Sequence, residues 1–381
     1  MATKERETSA NKFAVKEFSE TSVGLAANQR THNDWFPQSA SGGDLMKTAN
    51  PAGAAEKGYY GVPMLKRPLW KWEIALYFFF EGISAGAFMI ATMADLFARN
   101  RYPQLTRAAH YLSLATLLPC PPLLIADLGR PERFHHMLRV WKPASPMNLG
   151  AWALSGYSLP VGFLAVKQLT GDAAQMPELF KKAGALIPSR ALEVAGIPFA
   201  FAMLSYPGVL LSTTSTPVWA RTRFLGALLA SSSMSTGAAA LSLALSLGGQ
   251  KNAQAIEQLE KIENLISLTE LAVLAAYLKT SGSAAAPLTT GRHARLFWIG
   301  AVGAGIAAPV LIRASSSLKR PNSQVKNILG SILSLAGGLA LKWAITHAGR
   351  TSAEDADAAR VATRPSQESP GWNENQSLNI S

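Results

Sequence analysis

Five carboxylates stand where a charge is costly. Glu81, Asp95, Asp127, Glu193 and Glu270 lie within or at the margins of long apolar stretches. An ionisable side chain in such a stretch is tolerated only when it faces a bundle interior, a cavity or a partner. Glu81 sits inside IALYFFFEGISAGAFMIATMA (74–94). Asp95 follows 14 residues later, which on a helix is about 1,400° of rotation, within about 40° of the same face, and roughly 21 Å along the axis. Glu193 opens the fourth apolar stretch and Glu270 lies midway through the sixth. Buried acids linked by water or hydroxyls can hand protons along. Glu81, Asp95, Glu193 and Glu270 are the expected members of such a route. The plainer alternative is that they are neutral, hydrogen-bonded packing groups. The neighbouring Gly82, Ser84, Ala85 and Gly86 read as helix packing rather than chemistry.

The elements that hold these acids set the class. The protein has 381 residues, 48% hydrophobic and only 16% charged, with a net charge of +12. In soluble proteins about 25% of residues are charged, so an ordinary soluble enzyme is a poor fit. The lone Cys120 excludes a disulfide scaffold. Apolar stretches at 74–94, 108–126, 148–166, 194–211, 224–246, 264–278, 296–312 and 328–348 approach the ~20 residues that span a bilayer core. They lack the alternation of barrel strands, and only helices or closed barrels span lipid. The expectation is an all-α integral membrane protein, a bundle of eight transmembrane helices in two four-helix groups. The sixth and eighth stretches are weaker, with Lys279 and Lys342 read as snorkelling near an end.

An even count returns both termini to one side, here called end A. End A also receives residues 127–147, 212–223 and 279–295; end B holds 95–107, 167–193, 247–263 and 313–327. Lys and Arg divide almost evenly between the ends, so charge bias does not orient the protein. The opening MATKERETSA has no apolar stretch behind its charges, and no cleaved leader is expected. Residues 1–69, with Trp35 and Phe36, read as an extended polar arm against a partner or as a disordered tail. Residues 70–348 form the membrane domain. Residues 349–381 have the composition of a disordered tail, in which Trp372 suggests docking.

A second cluster of chemistry lies in the end A loop ADLGRPERFHHMLRVWKPASPMNLGAW (126–152). It packs acids, arginines, His135, His136 and Trp141 between two spans. Gly129 with Pro131, and Pro143 with Pro146, mark sharp turns. Aromatic and basic residues are common interfacial anchors, yet such a loop can also cap a pocket reached by a lipid-soluble molecule. Six histidines (His32, His110, His135, His136, His293 and His347) fall outside the spans or near helix ends. None offers the mid-membrane ligand of a haem b, and there is no cysteine cluster for iron–sulfur. Phosphate-binding glycine loops and zinc motifs are absent from the sequence. No haem, cluster or other metal centre is expected in this protein, and no nucleic-acid partner.

Three blocks carry a resemblance: WKWEIALYFFFEGISAGAF (70–88), DLGRPERFHHMLRVWKPASPMNLGAW (127–152) and LSYPGVLLSTTSTPVW (204–219). With them the protein resembles the integral membrane subunits of the NrfD / polysulfide reductase type over residues 66–348. The resemblance implies eight helices, no haem, and a menaquinone or ubiquinone site at the end of the bundle that meets an iron–sulfur subunit. That subunit in turn serves a catalytic partner with molybdenum, a cytochrome or another centre. All three blocks fall on end A. Mapped onto them, the quinone pocket implied is Tyr206, Asp127, Arg130, His135 or His136, and the residues around Trp70. Tyr206 is the implied donor to a quinone oxygen, with an interfacial packing role as the alternative. Asp127 has Arg130 and Arg133 within reach as partners. The family also implies a bacterial inner membrane setting with end A, and both termini, on the periplasmic side. Two departures are the Pro207 that stands where the family has Thr, and the long N-terminal arm. Two other classes stay open: a quinone-free membrane anchor for catalytic subunits, and a secondary transporter, whose broken helices Pro119, Pro121, Pro122, Pro198 and Pro309 would supply.

Overall fold

The structure is a computed structural model that describes residues 65–98, 101–172, 177–248, 253–291, 293–316 and 323–354. Trp35, Phe36 and Trp372, and with them nearly all of the expected arm and tail, lie outside the described residues. Among the described residues every regular element is helical. The long helices are α1 (Trp72–Phe97), α2 (Pro103–Leu117) continued by α3 (Cys120–Asp127), α4 (Pro146–Asp172), α5 (Ser189–Ser212), α6 (Phe224–Leu247), α7 (Ala253–Ser281), a π-helix (Leu296–Ala307) continued by α8 (Ala308–Ser316), and α9 (Ser323–Glu354).

Proline placement explains several boundaries. Pro103 occupies the first turn of α2, where its missing N–H is unneeded. Pro119, Pro121 and Pro122 interrupt the second apolar stretch between Leu117 and Cys120. Pro160 in α4, and Pro198 and Pro207 in α5, sit inside helices that run on through them. Neighbouring helices in a membrane bundle tolerate such breaks.

Seven helices among the described residues are long and apolar enough to cross a membrane. Large side chains such as Leu159, Phe163, Phe201 and Ile299 expose more than half of their surface on the outer faces, as lipid contact requires and water would penalise. The expected sixth stretch lies in α7, which is 29 residues long but falls short on apolarity. Glu257, Glu260, Lys261, Glu263 and Glu270 stand along it. Glu263 and Glu270 are buried toward the bundle, while Leu265 and Leu268 face outward.

One sequence expectation is corrected here. Lys342 does not snorkel at a helix end. Helix α9 runs on to Glu354, and Lys342 is fully buried. The same helix runs past residue 348, where the last apolar stretch ends, and its final turn is packed. Ser352 and Ala353 are buried, Val218 N–H donates to Ser352 Oγ at 3.2 Å, and Arg350 donates to the Trp70 carbonyl at 2.6 Å.

Helix α6 is the hub and packs on α1, α5, α7 and α9. Its closest partner is α1, through Gly82 and Gly86 against Ser233 and Gly237. A methyl group at Gly86 would lie 2.6 Å from the Ser233 carbonyl oxygen, and one at Gly237 would lie 2.7 Å from Gly86 Cα. Small residues let two backbones approach where no hydrophobic driving force separates helix from lipid. Gly86→Ala is expected to cost about 1–3 kcal/mol of stability, the usual penalty of overpacking. Gly162→Ala, in open space, should leave stability unchanged. Thermal unfolding of the two variants in detergent checks this, and equal midpoints would contradict the seam.

Candidate functional site

The residues singled out from the sequence gather at three levels: end A, the bundle middle and end B. At end A, the 127–152 loop is braced by Asn148. Its side-chain oxygen accepts the Lys142 N–H at 2.7 Å, and its amide donates to the carbonyls of Met137 (2.7 Å) and Val140 (2.9 Å). Two residues on, Gly150 gives the Tyr206 ring its room; a methyl there would sit 2.6 Å from Tyr206 Cε2. Tyr206 donates to the Pro146 carbonyl at 3.2 Å. The first and last blocks also meet. Trp70 packs on Trp219 with ring centroids 5.4 Å apart, Trp219 Nε1 donates to Ile345 O at 2.9 Å, and Tyr277 donates to Val218 O at 2.7 Å.

Beside Tyr206 a groove of about 780 Å³ opens between α4 and α5. Its walls include Trp141, Trp152, Gly156, Phe199 and Tyr206, with the two tryptophans edge to face at 5.7 Å. Asp127, Arg130, His135, His136 and Trp70 share this end but not the groove lining. Asp127 is half-buried, accepts the Lys71 backbone N–H, and has Glu73, Lys71 and Arg350 as charged neighbours. Arg130, His135 and His136 are exposed, the two imidazoles lying 4.3 Å apart.

In the middle of the bundle, Glu81 is fully buried on α1. Tyr77, one turn earlier, stands beside it, and Tyr206 is within electrostatic reach of both. Both Glu81 carboxylate oxygens and the Tyr77 hydroxyl make no well-formed hydrogen bond to protein atoms. Buried polar groups are nearly always bonded, so such a pair is costly and calls for a functional reason. Glu270 on α7 is met by the hydroxyls of Ser232 and Ser235. Lys342 donates to Ser232 Oγ at 3.4 Å.

At end B, Asp95 and Glu193 converge on a polar cavity of about 460 Å³ with Thr106, His110, Lys167 and Arg190. Asp95 pairs with Arg190 at 3.5 Å, and Glu193 with His110 at 3.4 Å. From His110 a line of hydroxyls leads inward. Ser113 is the next residue on that face of α2. Ser84 Oγ donates to Ser113 O at 2.7 Å and meets Tyr157 Oη at 3.0 Å. Ser84 follows Glu81 by three residues. A second buried polar group belongs to α7–α9: Arg313 pairs with Glu263 at 2.5 Å and donates to Ser334 at 3.1 Å. Ser334 shares a narrow crevice with Ser232, Ser235, Thr236 and Glu270.

The residues that sequence reasoning misses are Tyr77, His110, Tyr157, Glu263, Arg313 and Lys342. Glu263 reads as loop and Arg313 as a helix flank because their apolar stretches look shorter than the helices. Among the described residues no three of His, Cys, Asp and Glu stand close enough to share a metal. The arrangement can hold a flat apolar molecule at end A and protonatable groups from there to end B.

The pairing of Arg313 with Glu263 is directly testable. Arg313→Met strands Glu263 without its cation and is expected to cost about 3–5 kcal/mol, the range for breaking a buried pair. Arg313→Met with Glu263→Gln should recover most of that loss. Thermal unfolding in detergent decides, and no recovery in the double variant would contradict a dedicated pair.

Comparison with known proteins gives the relatives. The family model described as polysulphide reductase, NrfD, matches residues 62–353. A polysulfide reductase chain of Wolinella succinogenes is 29% identical over 301 residues, covering 74% of this protein and 95% of that one. Protein NrfD of Escherichia coli K12 is 27% identical over 308 residues, with the same two coverages of 74% and 95%. A selenate reductase subunit of Mesobacillus selenatarsenatis is 31% identical over 88 residues, 23% of this protein and 20% of that one.

Proposed function

The chain belongs to the NrfD polysulphide reductase family, and on that footing we propose that it is the quinone-handling membrane subunit of a multisubunit respiratory oxidoreductase. It exchanges electrons between menaquinol or ubiquinol and an iron–sulfur partner subunit, which serves a separate catalytic subunit. The names of the Wolinella and Mesobacillus relatives, a polysulfide reductase chain and a selenate reductase subunit, support a place in a reductase complex. The setting is the bacterial inner membrane, with eight crossings and both termini on the periplasmic side. The outward Leu265 and Leu268 of α7, with Glu263 and Glu270 buried on its inner side, support counting it as the eighth.

One observation carries the reading. The groove of about 780 Å³ opens between α4 and α5 and is walled in part by Tyr206, which is within electrostatic reach of Tyr77 and Glu81. Its size suits a small-molecule site, mostly apolar with a few placed polar groups. Trp141, Trp152 and Phe199 offer ring faces to a quinone head group, and the exposed Leu159 and Val209 offer a course for its isoprenoid tail. Tyr206 is the groove's phenol. By releasing the Pro146 carbonyl it can donate to a ring oxygen.

Quinol oxidation releases two electrons and two protons for each quinone formed. The electrons leave to the partner subunit at end A. The protons have two exits. Through Tyr206, Tyr77 and Glu81 they join the inward line from His110 and Glu193, and turnover then moves charge across the membrane. Released directly at end A, they store nothing. The role of this protein is to hold the ring, exclude water from it and give its protons a defined neighbour.

Tyr206→Phe is expected to lower quinol turnover by roughly 3–10-fold, the worth of one hydrogen bond, without loss of assembled complex. Steady-state kinetics with a soluble quinol check this. Wild-type kinetics in the variant, together with indifference to a quinone-site inhibitor, would favour a quinone-free anchor. Glu81→Gln should stop proton release to end B during quinol oxidation in reconstituted vesicles, followed with an entrapped pH dye. Unchanged release would discard the route.

A further inference from the structure

Lys342 is a buried cation that the electron-transfer reading does not use. Its ammonium is fully enclosed, as is Glu81, and Glu270 is 3% exposed. The three come from α9, α1 and α7, yet they share one depth. Glu81 lies nine residues from the start of α1 (81 − 72), Glu270 eleven from the end of α7 (281 − 270), and Lys342 twelve from the end of α9 (354 − 342). At 1.5 Å per residue these are roughly 14, 17 and 18 Å from end A. Lys342 is within electrostatic reach of both acids, and neither carboxylate closes to ion-pair contact with it. Its hydrogen bond goes instead to Ser232 Oγ at 3.4 Å, the hydroxyl that also meets Glu270. From the elements packed around the ammonium, α1 presents Glu81 and Tyr77, α7 presents Glu270, and α6 presents only hydroxyls.

An unpaired charge in this setting costs several kcal/mol or more. One ammonium with two carboxylates leaves a net negative charge; one ammonium with two carboxylic acids leaves a net positive charge. The neutral set has one ammonium, one carboxylate and one carboxylic acid. The lysine stem is long and flexible enough to turn its charge from one acid to the other. Gly338, one turn before Lys342, has no side chain where α9 crosses Ser232 and Thr236, and it borders the crevice that Glu270 lines.

We propose that Lys342 is a positioning residue that makes Glu81 and Glu270 share one proton: the ammonium neutralises whichever acid has lost its proton, so uptake by one is tied to release by the other. The inference rests on the proton-handling part of the function proposed above and extends it from α1 to the crevice beside α7. It turns two separate acids into one exchangeable unit at the middle of the bundle.

Infrared spectroscopy of the full-length protein in lipid vesicles at neutral pH tests this, because a buried carboxylic acid gives a C=O band that an ionised carboxylate lacks. Glu81→Gln and Glu270→Gln are each expected to remove one carboxylic-acid band from the wild-type spectrum, since the acid left behind ionises against Lys342. Lys342→Met should add one band, and Lys342→Arg should restore the wild-type count. If either glutamine variant keeps the full amplitude, or Lys342→Met gains no band, the proposal is overturned. Should Lys342→Met fail to insert, the two glutamine variants decide alone, because each must lose one whole band. No quinol enters these measurements. Failure of the quinone reading shows in turnover, and failure of the shared proton shows in the spectra.

Discussion

The low dielectric of the bundle interior governs everything polar in this protein. In a medium that cannot solvate charge, each ionisable group must find a partner, a hydrogen bond or a proton. Arg313 and Glu263 meet that demand with a tight pair. His110 and Glu193 meet it with a longer one at the wall of the end B cavity. Glu81, Glu270 and Lys342 meet it collectively, with no pair in direct contact. The first arrangement is suited to holding helices together and the third to exchange, because a fixed ion pair has no reason to release its partner. Burial alone therefore does not mark a functional acid. The lack of a dedicated counter-ion does.

The two ends of the bundle differ in kind. End A is built from aromatic packing and loop bracing: Trp70 on Trp219, Asn148 on three backbone groups, and Gly150 under Tyr206. These contacts place an apolar groove at a defined depth. End B is built from ion pairs around a polar cavity. In the proposed function, the apolar groove serves a redox molecule and the polar cavity serves hydrated protons, with the Glu81 layer between them.

Much of this is legible in the residues. Apolar stretches locate the helices, since lipid rewards length and hydrophobicity directly. The acids inside them are conspicuous for the same reason. The 126–152 block announces itself by density of charge and proline, though its most constrained members are the unassuming Asn148 and Gly150. Lys342 is misplaced by sequence because an apolar stretch underestimates its helix, and α9 continues past residue 348 on small and polar residues packed against Trp219 and Trp70. The sixth stretch is weak in sequence for a physical reason: α7 buries Glu263 and Glu270 and exposes Glu257 and Lys261 near its start, so a window average counts as polar a helix that also turns Leu265 and Leu268 outward. Partnerships such as His110 with Glu193 join residues 83 positions apart (193 − 110), and no local pattern encodes them.

The glycine seam between α1 and α6 limits how this molecule can work. With Gly86 and Gly237 backbone against backbone, the two central helices are closely packed along this line. A carrier that exposes its cargo first to one side and then to the other by rocking its halves needs looseness along that very line. A closely packed spine instead leaves movement to side chains and protons, which suits a stationary relay.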